Sequence, residues 1–308
     1  MVSIDLGSNT IRAIEIDCAT FKKVAKYEKI VRTADCLHKT GTILDKAVDG
    51  VVNAIIEMKK SLSFENGVKA VATEAIRQAK NGLDVINFIK KATSVEFEII
   101  DGEKEACYTL LAVINRLEIL NFNIKNFVLV DIGGGSTELI FFNENRVKIK
   151  SFSIGIVTMA QKYRTKDKIV KNLPLQMDEI KGFIDDYYKF AKKPDMFIST
   201  AGTPTTVAAM ELGMNYKTYD EEQINGTSLL KDDLERELKY LLSLDEIYRA
   251  ELVGVGREDL IVAGILIFRY LYELLGFDRA YVIDDGLREG VAIAECKKID
   301  ILKLFSII

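Results

Sequence analysis

At 308 residues the chain is longer than one typical domain, so two cores are expected, and two lobes imply a cleft. Its 48% hydrophobic and 29% charged residues are those of an ordinary globular protein and exclude disorder or a fibre-like bias. A net charge of −4 excludes a dedicated nucleic-acid binder, which would carry a basic face or tail, so any polyanion must be held locally.

The chain opens directly on a strand-like run, Met1-Val-Ser-Ile-Asp-Leu-Gly, with no basic region and apolar core of a signal peptide, so secretion is not expected. The four cysteines, Cys18, Cys36, Cys107 and Cys296, are scattered without a Cys-x-x-Cys pair and read as reduced thiols of a cytoplasmic protein. Strands are expected over residues 2–6, 11–17 and 22–31, separated by turn-rich Gly-Ser-Asn-Thr and Cys-Ala-Thr. Leu44, Ala47, Val48, Val51, Val52, Ile55 and Ile56 recur at helical spacing over 44–62. A buried strand follows at 68–72, a helix at 81–91, a strand at 95–100 and a helix at 102–117 with Glu103 and Glu105 in its first turn. That completes one α/β lobe.

An Asn-rich connection over 115–126 separates this lobe from a second, and the pattern restarts with strands at 127–131, 138–143 and 147–153. Helices are expected at 156–163 and 176–192, a strand at 196–200, helices at 205–212 and 230–242, and a strand at 280–283. The most apolar run, 260–275, is interrupted by Arg269 and Glu273 and is too short for a membrane span, so it reads as a buried helix and no membrane partner is expected. The final stretch, 287–305, has helical spacing and is expected to cross back and cap the first lobe. The lobes are thus 1–118, capped by 291–308, and 119–290.

An internal repeat is visible in the residues. Val2-Ser-Ile-Asp-Leu-Gly-Ser-Asn-Thr parallels Val128-Leu-Val-Asp-Ile-Gly-Gly-Gly-Ser-Thr, each a strand that ends in Asp-apolar-Gly and turns back into a strand. In the first, Gly7 permits close backbone approach, and Ser8, Asn9 and Thr10 supply amide and hydroxyl donors suited to phosphate oxygens. In the second, Gly133, Gly134 and Gly135 let successive N–H groups converge beside Ser136 and Thr137, while Asp131 can hold Mg²⁺ through oxygen. Either turn alone could be an ordinary hairpin; the pair, at matched places in a duplicated lobe, can clamp neighbouring phosphates. Neither is a Walker A loop, lacking Gly-Lys-Ser/Thr, nor a dinucleotide fingerprint, since the glycines lead into strands.

Asp5-Leu-Gly-Ser-Asn-Thr and Asp131-Ile-Gly-Gly-Gly-Ser-Thr-Glu-Leu resemble the phosphate loops of the exopolyphosphatase/guanosine pentaphosphate phosphatase (Ppx/GppA) family of the actin-like ATPase superfamily. Further matches run in order along nearly the whole chain: Leu37-His-Lys-Thr-Gly, Val71-Ala-Thr-Glu-Ala-Ile-Arg-Gln-Ala, Asp101-Gly-Glu-Lys-Glu-Ala, Ser153-Ile-Gly, Thr200-Ala-Gly-Thr, Arg257-Glu-Asp and Gly286-Leu-Arg-Glu-Gly. The resemblance implies an α/β fold of two ribonuclease-H-like lobes with mixed β-sheets flanked by helices and an interlobe active site. It implies inorganic polyphosphate or guanosine penta- or tetraphosphate as the bound molecule, Mg²⁺ or another divalent ion as cofactor, and is compatible with a homodimer.

In that family a glutamate just before an alanine activates the attacking water, and Glu105, followed by Ala106, holds that position. Chemistry agrees, since a carboxylate near a phosphate clamp can take a proton from a water attacking phosphorus. The only histidine is His38, and nothing near it resembles a Ser-His-Asp triad. Without the resemblance, Glu103 and Glu105 would read as acids stabilising a helix N-terminus. Similarity further implies that Arg77 contacts phosphate and that Glu138 joins Asp131, with Asp5 as the corresponding acid of the first lobe, in placing metal or water. Arg12 and Arg288 could each face the cleft or be exposed charge.

Two departures stand out. Cys107 replaces the arginine that commonly follows Glu-Ala, and Lys104 replaces an acid. The chain ends at Ile308, where long family members continue, so it reads as the short, two-domain form. Two rivals remain: a kinase of the same superfamily, which would consume ATP only with an acceptor, and a non-catalytic sensor of the guanosine nucleotides.

Overall fold

The computed structural model describes residues 1–144 and 146–308. The chain divides into two compact units, Met1–Ile114 with Asp285–Ser306, and Asn115–Asp284 with Ile307–Ile308.

The first unit begins with β1 (Val2–Leu6), β2 (Thr10–Ile16) and β3 (Lys23–Ile30), followed by α1 (Leu37–Thr40) and α2 (Asp45–Ser61). Then come β4 (Val68–Ala72), α3 (Glu74–Gln78), α4 (Gly82–Thr93), β5 (Phe97–Ile99) and α5 (Gly102–Ile119), whose last turn runs on into the second unit. The sheet order is β3-β2-β1-β4-β5, antiparallel across β3-β2-β1 and parallel across β1-β4-β5. Val2, Ser3, Ile4 and Leu6 are all buried, as a central strand covered on both faces requires. Lys23, Lys26 and Lys29 lie along the edge strand β3, where charge discourages pairing with another chain. On α2 the buried stripe is Ala47, Val48, Val51, Ala54, Ile55 and Met58, while Ile56 is left 45% exposed.

The second unit contains β6 (Asn126–Ile132), β7 (Thr137–Asn143), β8 (Arg146–Phe152), α6 (Ile156–Tyr163), α7 (Lys166–Gln176) and α8 (Asp178–Phe190). It continues through β9 (Met196–Thr200), α9 (Gly202–Glu211), α10 (Glu221–Ile224), β10 (Ser228–Leu230), α11 (Lys231–Ser243), α12 (Glu246–Val253), α13 (Ile261–Leu275) and β11 (Arg279–Val282). Its sheet runs β10-β11-β9-β6-β7-β8 and is extended by the terminal strand β12 (Ser306–Ile307). The stretch β8-β7-β6-β9-β11 repeats β3-β2-β1-β4-β5 strand for strand, with the same antiparallel and parallel sense. The internal repeat in the sequence is therefore a repeat of topology. Phe197 anchors the core, its ring edge-on to Phe268 and Tyr272 of the buried helix α13.

The C-terminal stretch is two helices, α14 (Leu287–Lys297) and α15 (Ile301–Leu304), not one. Lys298 adopts φ 53 and ends the first of them. Helix α14 packs on β1 and β2 of the first unit. Its close approach to α5 depends on Gly290, where a β-carbon would fall 1.8 Å from the Tyr108 carbonyl oxygen. Lys23 reaches Asp285 at 2.7 Å and Glu289 at 3.7 Å, tying β3 to the start of α14. Burial opposes charge on Glu289, but Arg288, Lys23 and the Gly286 N–H outweigh it and hold its carboxyl down at about 2.

One expectation is overturned here. Cys18 and Cys296 form a disulfide, their Cα atoms 5.2 Å apart, so the cysteines are not all reduced. Spacing along the sequence gave no sign of it, because the return of α14 to the β2–β3 turn joins residues 278 apart. Cys36 and Cys107 remain free thiols. Among the described residues no helix is long and apolar enough to cross a membrane.

Candidate active site

In the first unit three parallel neighbours, β1, β4 and β5, deliver three pieces of the candidate site from one carboxyl edge, the usual position for ligands in open α/β sheets. Beyond β1 comes the turn Gly7 to Thr10, closed by the Gly7 N–H donating to the Thr10 carbonyl at 3.0 Å. A second segment braces it: Val31 and Arg32 N–H groups donate to the Asn9 carbonyl, the Ala34 N–H to Ser8, and the Thr33 hydroxyl to Gly7 at 2.6 Å. Carbonyls are thereby engaged on the protein side of the turn.

Beyond β4, Thr73 is tied to the Leu6 carbonyl by its N–H at 3.2 Å, and α3 starts next to it. Gly82 allows α4 to close on α3, since a β-carbon there would lie 2.3 Å from the Ile76 carbonyl oxygen. Beyond β5, Asp101 caps α5, its carboxylate accepting the Lys104 N–H at 2.8 Å. Glu105 follows one turn in and is buried.

These two short segments meet in an ion-pair chain. Arg77 Nη1 donates to Glu105 Oε2 at 2.8 Å and to the Ile100 carbonyl at 2.7 Å, while Nε and Nη2 donate to Glu74 Oε2 at 3.0 and 2.6 Å. The far oxygen of Glu74 accepts from the Gln78 amide. Burial works against the charge on Arg77, but the two carboxylates outweigh it and hold the guanidinium above its usual range. The structure thus brings together two residues expected at the site, Arg77 and Glu105, and adds Glu74, from the same Val71–Ala79 motif as Arg77.

The second unit repeats the hairpin. Gly133 N–H donates to the Ser136 carbonyl at 2.9 Å, matching the Gly7–Thr10 bond. Here the brace is the start of α6: Ile156 N–H donates to Gly133 at 3.1 Å and Val157 N–H to Gly134 at 2.8 Å. Gly155 makes this contact possible, because a β-carbon would lie 2.4 Å from the Gly134 carbonyl. Thr137 is fully buried and its hydroxyl donates to the Ile154 carbonyl at 2.6 Å, so that side chain braces the loop.

Asp131 and Glu138 are cross-strand partners on β6 and β7, and Ser151 of β8 donates to Glu138 Oε1 at 2.6 Å. Two hard carboxylates beside a glycine turn fit Mg²⁺, which takes one or two carboxylates plus substrate phosphates. Among the described residues no group of three or more acidic, His or Cys side chains could hold a metal by itself. The matching row in the first unit is different: Asp5 faces Arg12, which pairs with Glu28 at 3.2 Å. Arg288 pairs with Glu289 at 2.7 Å.

The turn after β9 begins α9 at Gly202. Ala201 sits at φ 73, a conformation that costs a non-glycine residue about 1–3 kcal/mol. Thr203 packs against α13, where a β-carbon on Gly264 would fall 2.0 Å from its hydroxyl. Cys107 is buried, and burial together with Glu103 and Asp101 pushes its thiol up to about 12. Lys104 is turned away to Glu98.

Two mixed α/β units, each carrying a glycine hairpin turn at a carboxyl strand edge, define an actin-like ATPase architecture, one of them with an acid-bearing helix beside its turn. The Ppx/GppA phosphatase family model matches residues 13–299, and the chain belongs to that family, which is one of phosphoanhydride hydrolases. Relatives include a bifunctional 3-dehydroquinate synthase/phosphatase of Fusobacterium nucleatum, 26% identical over 94% of this chain, which spans 46% of that protein. Exopolyphosphatase 1 of Mycobacterium tuberculosis is 24% identical, covering 94% of this chain and 86% of its own length. A guanosine-5'-triphosphate,3'-diphosphate pyrophosphatase of Vibrio parahaemolyticus is 26% identical over 94% of this chain and 58% of its own length. Among solved structures, the Aquifex aeolicus member of the Ppx/GppA family superposes with a TM-score of 0.73 at 28% identity, covering 96% of this chain and 97% of that one. An exopolyphosphatase from Cytophaga hutchinsonii gives a TM-score of 0.85 at 23% identity, over 97% and 98% of the two chains, and shows the same fold.

Proposed function

We propose that this chain releases the terminal phosphate of inorganic polyphosphate or of guanosine pentaphosphate, with Glu105 as the general base for an attacking water. The observation that carries the reading is the delivery of Glu105, by the capped start of α5, to the strand edge that holds the Gly7–Thr10 turn, where Arg77 fixes it at 2.8 Å. Glu105 takes a proton as the water oxygen bonds to phosphorus, the bond to the bridging oxygen breaks, and inorganic phosphate leaves with the shortened chain. Amides of the Gly7–Thr10 and Gly133–Thr137 turns bind phosphate oxygens. Asp131 and Glu138 are the residues that would hold Mg²⁺, which supplies charge neutralisation for the phosphates when bound.

The names of the relatives support both substrates, and both present the same terminal phosphoanhydride. A cytoplasmic setting belongs to this proposal, and the Cys18–Cys296 bridge is the feature that pulls against it. Phosphate release measured side by side from polyphosphate and guanosine pentaphosphate tests the reading. Glu105→Gln is expected to lower kcat about 100-fold or more with little change in substrate affinity. Binding of either substrate without any release by the unmodified protein would replace the hydrolase with a sensor, and ATP consumption that needs an added acceptor would replace it with a kinase.

A further inference from the structure

We propose that Glu74 is a positioning residue that sets the orientation and the proton affinity of Glu105 through Arg77; the inference rests on the reading of Glu105 as the base. The geometry is a carboxylate–guanidinium–carboxylate relay confined to α3 and the start of α5. One oxygen of Glu74 takes two N–H groups of Arg77, at 3.0 and 2.6 Å, and so fixes the plane of the guanidinium. That plane presents Nη1 to the Ile100 carbonyl at 2.7 Å and to Glu105 Oε2 at 2.8 Å. Gln78 holds the other oxygen of Glu74, and the side chains of Glu74, Arg77 and Glu105 are 11%, 17% and 12% exposed, so solvent screens the relay weakly.

A base paired with an undivided arginine would be a poor proton acceptor, because the full positive charge stabilises its ionised form. Glu74 shares that charge. It also leaves Arg77 fastened to the protein on its Nε side, so that the guanidinium cannot swing away from Glu105 when a phosphate approaches. The charged groups beside Glu105 are Arg77 and, through it, Glu74 from α3, with Asp101, Glu103 and Lys104 on its own helix start; α14, which packs on α5 at Tyr108, carries Arg288, Glu289 and Glu295. Lys104 is engaged by Glu98 of β5. Glu74 acts on Glu105 through a shared hydrogen-bonding partner, Arg77.

The test is a titration that does not depend on turnover. Protein carrying 13C at the glutamate side-chain carboxyl is followed by NMR against pH, with Glu105 assigned from the resonance lost in Glu105→Gln. In Glu74→Gln, which keeps an acceptor for Arg77 but removes the charge, the Glu105 midpoint is expected to fall by about half a unit or more. The acid limb of the kcat/KM profile should move down with it, and kcat should fall several-fold with KM altered less. Glu74→Ala, which also removes the acceptor, should lose more rate, and Glu74→Gln should recover part of it. A Glu105 midpoint that stays put in a folded Glu74→Gln protein overturns the relay, whatever the rate. A midpoint that moves while Glu105→Gln still turns over normally upholds the relay and removes Glu105 as the base.

Discussion

A β-carbon on Gly155 would meet the Gly134 carbonyl carbon and oxygen, both at 2.4 Å, and these atoms are backbone and cannot rotate aside. Gly155→Ala should therefore push the Gly133–Ser136 turn off the start of α6 and break the Gly133 and Gly134 carbonyl bonds at 3.1 and 2.8 Å. The expected outcome is a rise in KM of about tenfold, with a loss of about 1–3 kcal/mol of stability, read by phosphate release and by urea unfolding. Gly290 is tighter still, at 1.8 Å from the Tyr108 carbonyl oxygen, so Gly290→Ala should cost at least as much stability, through the α14–α5 contact. Both glycines stand in motifs that the sequence displayed, Ser153-Ile-Gly and Gly286-Leu-Arg-Glu-Gly. Their reason was not legible, because it is a backbone contact with a residue 21 positions away in one case and 182 in the other. Glu74 was hidden the same way: it stands in a motif between the expected strand at 68–72 and the expected helix at 81–91, and only the fold brings it to a guanidinium. Thr33 left no trace at all, lying in an irregular stretch with no motif.

Helices α9 and α11 bring two acids, Glu211 and Glu237, together. Glu237 is buried on α11 against Glu211 at the end of α9, and burial together with the Glu211 hydrogen bond and charge raises its carboxyl to about 7, with Arg236 opposing. Arg236 bonds Glu211 at 2.5 Å and Asp233 at 2.8 Å, so it is engaged mainly with the other two acids. A carboxyl raised in the folded state binds a proton that the unfolded chain has released. Stability from this pair is therefore present below pH about 4.5 and is lost as pH climbs to about 7. Glu237→Gln keeps a donor to Glu211 without the ionisation, so its melting temperature should exceed the parent's by about 2–4 °C at pH 8 and match it near pH 5. Equal shifts at both pH values would show that Glu237 does not carry the effect. At this scale the sequence was most readable where periodicity was pure: the strands at Val68–Ala72 and Met196–Thr200 and the helix at Ile156–Tyr163 lie where the pattern puts them. It failed at α7, where Pro174 sits inside the helix and mean hydropathy is low, and at α14 and α15, where the left-handed Lys298 divides what spacing shows as one helix. Sheet order could not be read either, since β4 is inserted beside β1 by pairings that no local pattern encodes.

The same strand order built twice accounts for why two similar turns are found at matched places, and the differences between the copies show what each has become. Asp131 faces Glu138 in the second unit, where Asp5 faces Arg12 in the first, so of these two rows the second sets two acids opposite each other and the first an acid opposite a base. The path of the chain adds one more constraint. It leaves the first unit after Ile114 and comes back at Asp285, and the Cys18–Cys296 bond fastens the returning segment to the turn after β2. A link between residues 278 apart removes much unfolded-state freedom, with a chain-entropy ceiling of about 5–6 kcal/mol and a realised contribution of about 2–4 kcal/mol. Two thiols, Cys36 and Cys107, should react in the unfolded, unreduced protein, and four after reduction. Reduction should lower the melting temperature by several degrees, and Cys296→Ser should start at the lower value and no longer respond to reductant. The first unit carries the bond and with it Arg77 and Glu105, so its thermal transition is the one that should move. Calorimetry that shows both transitions unchanged by reductant, in protein with two blocked thiols, would mean that the α14 packing around Gly290 and the Lys23–Asp285 pair hold the returning segment without the bond.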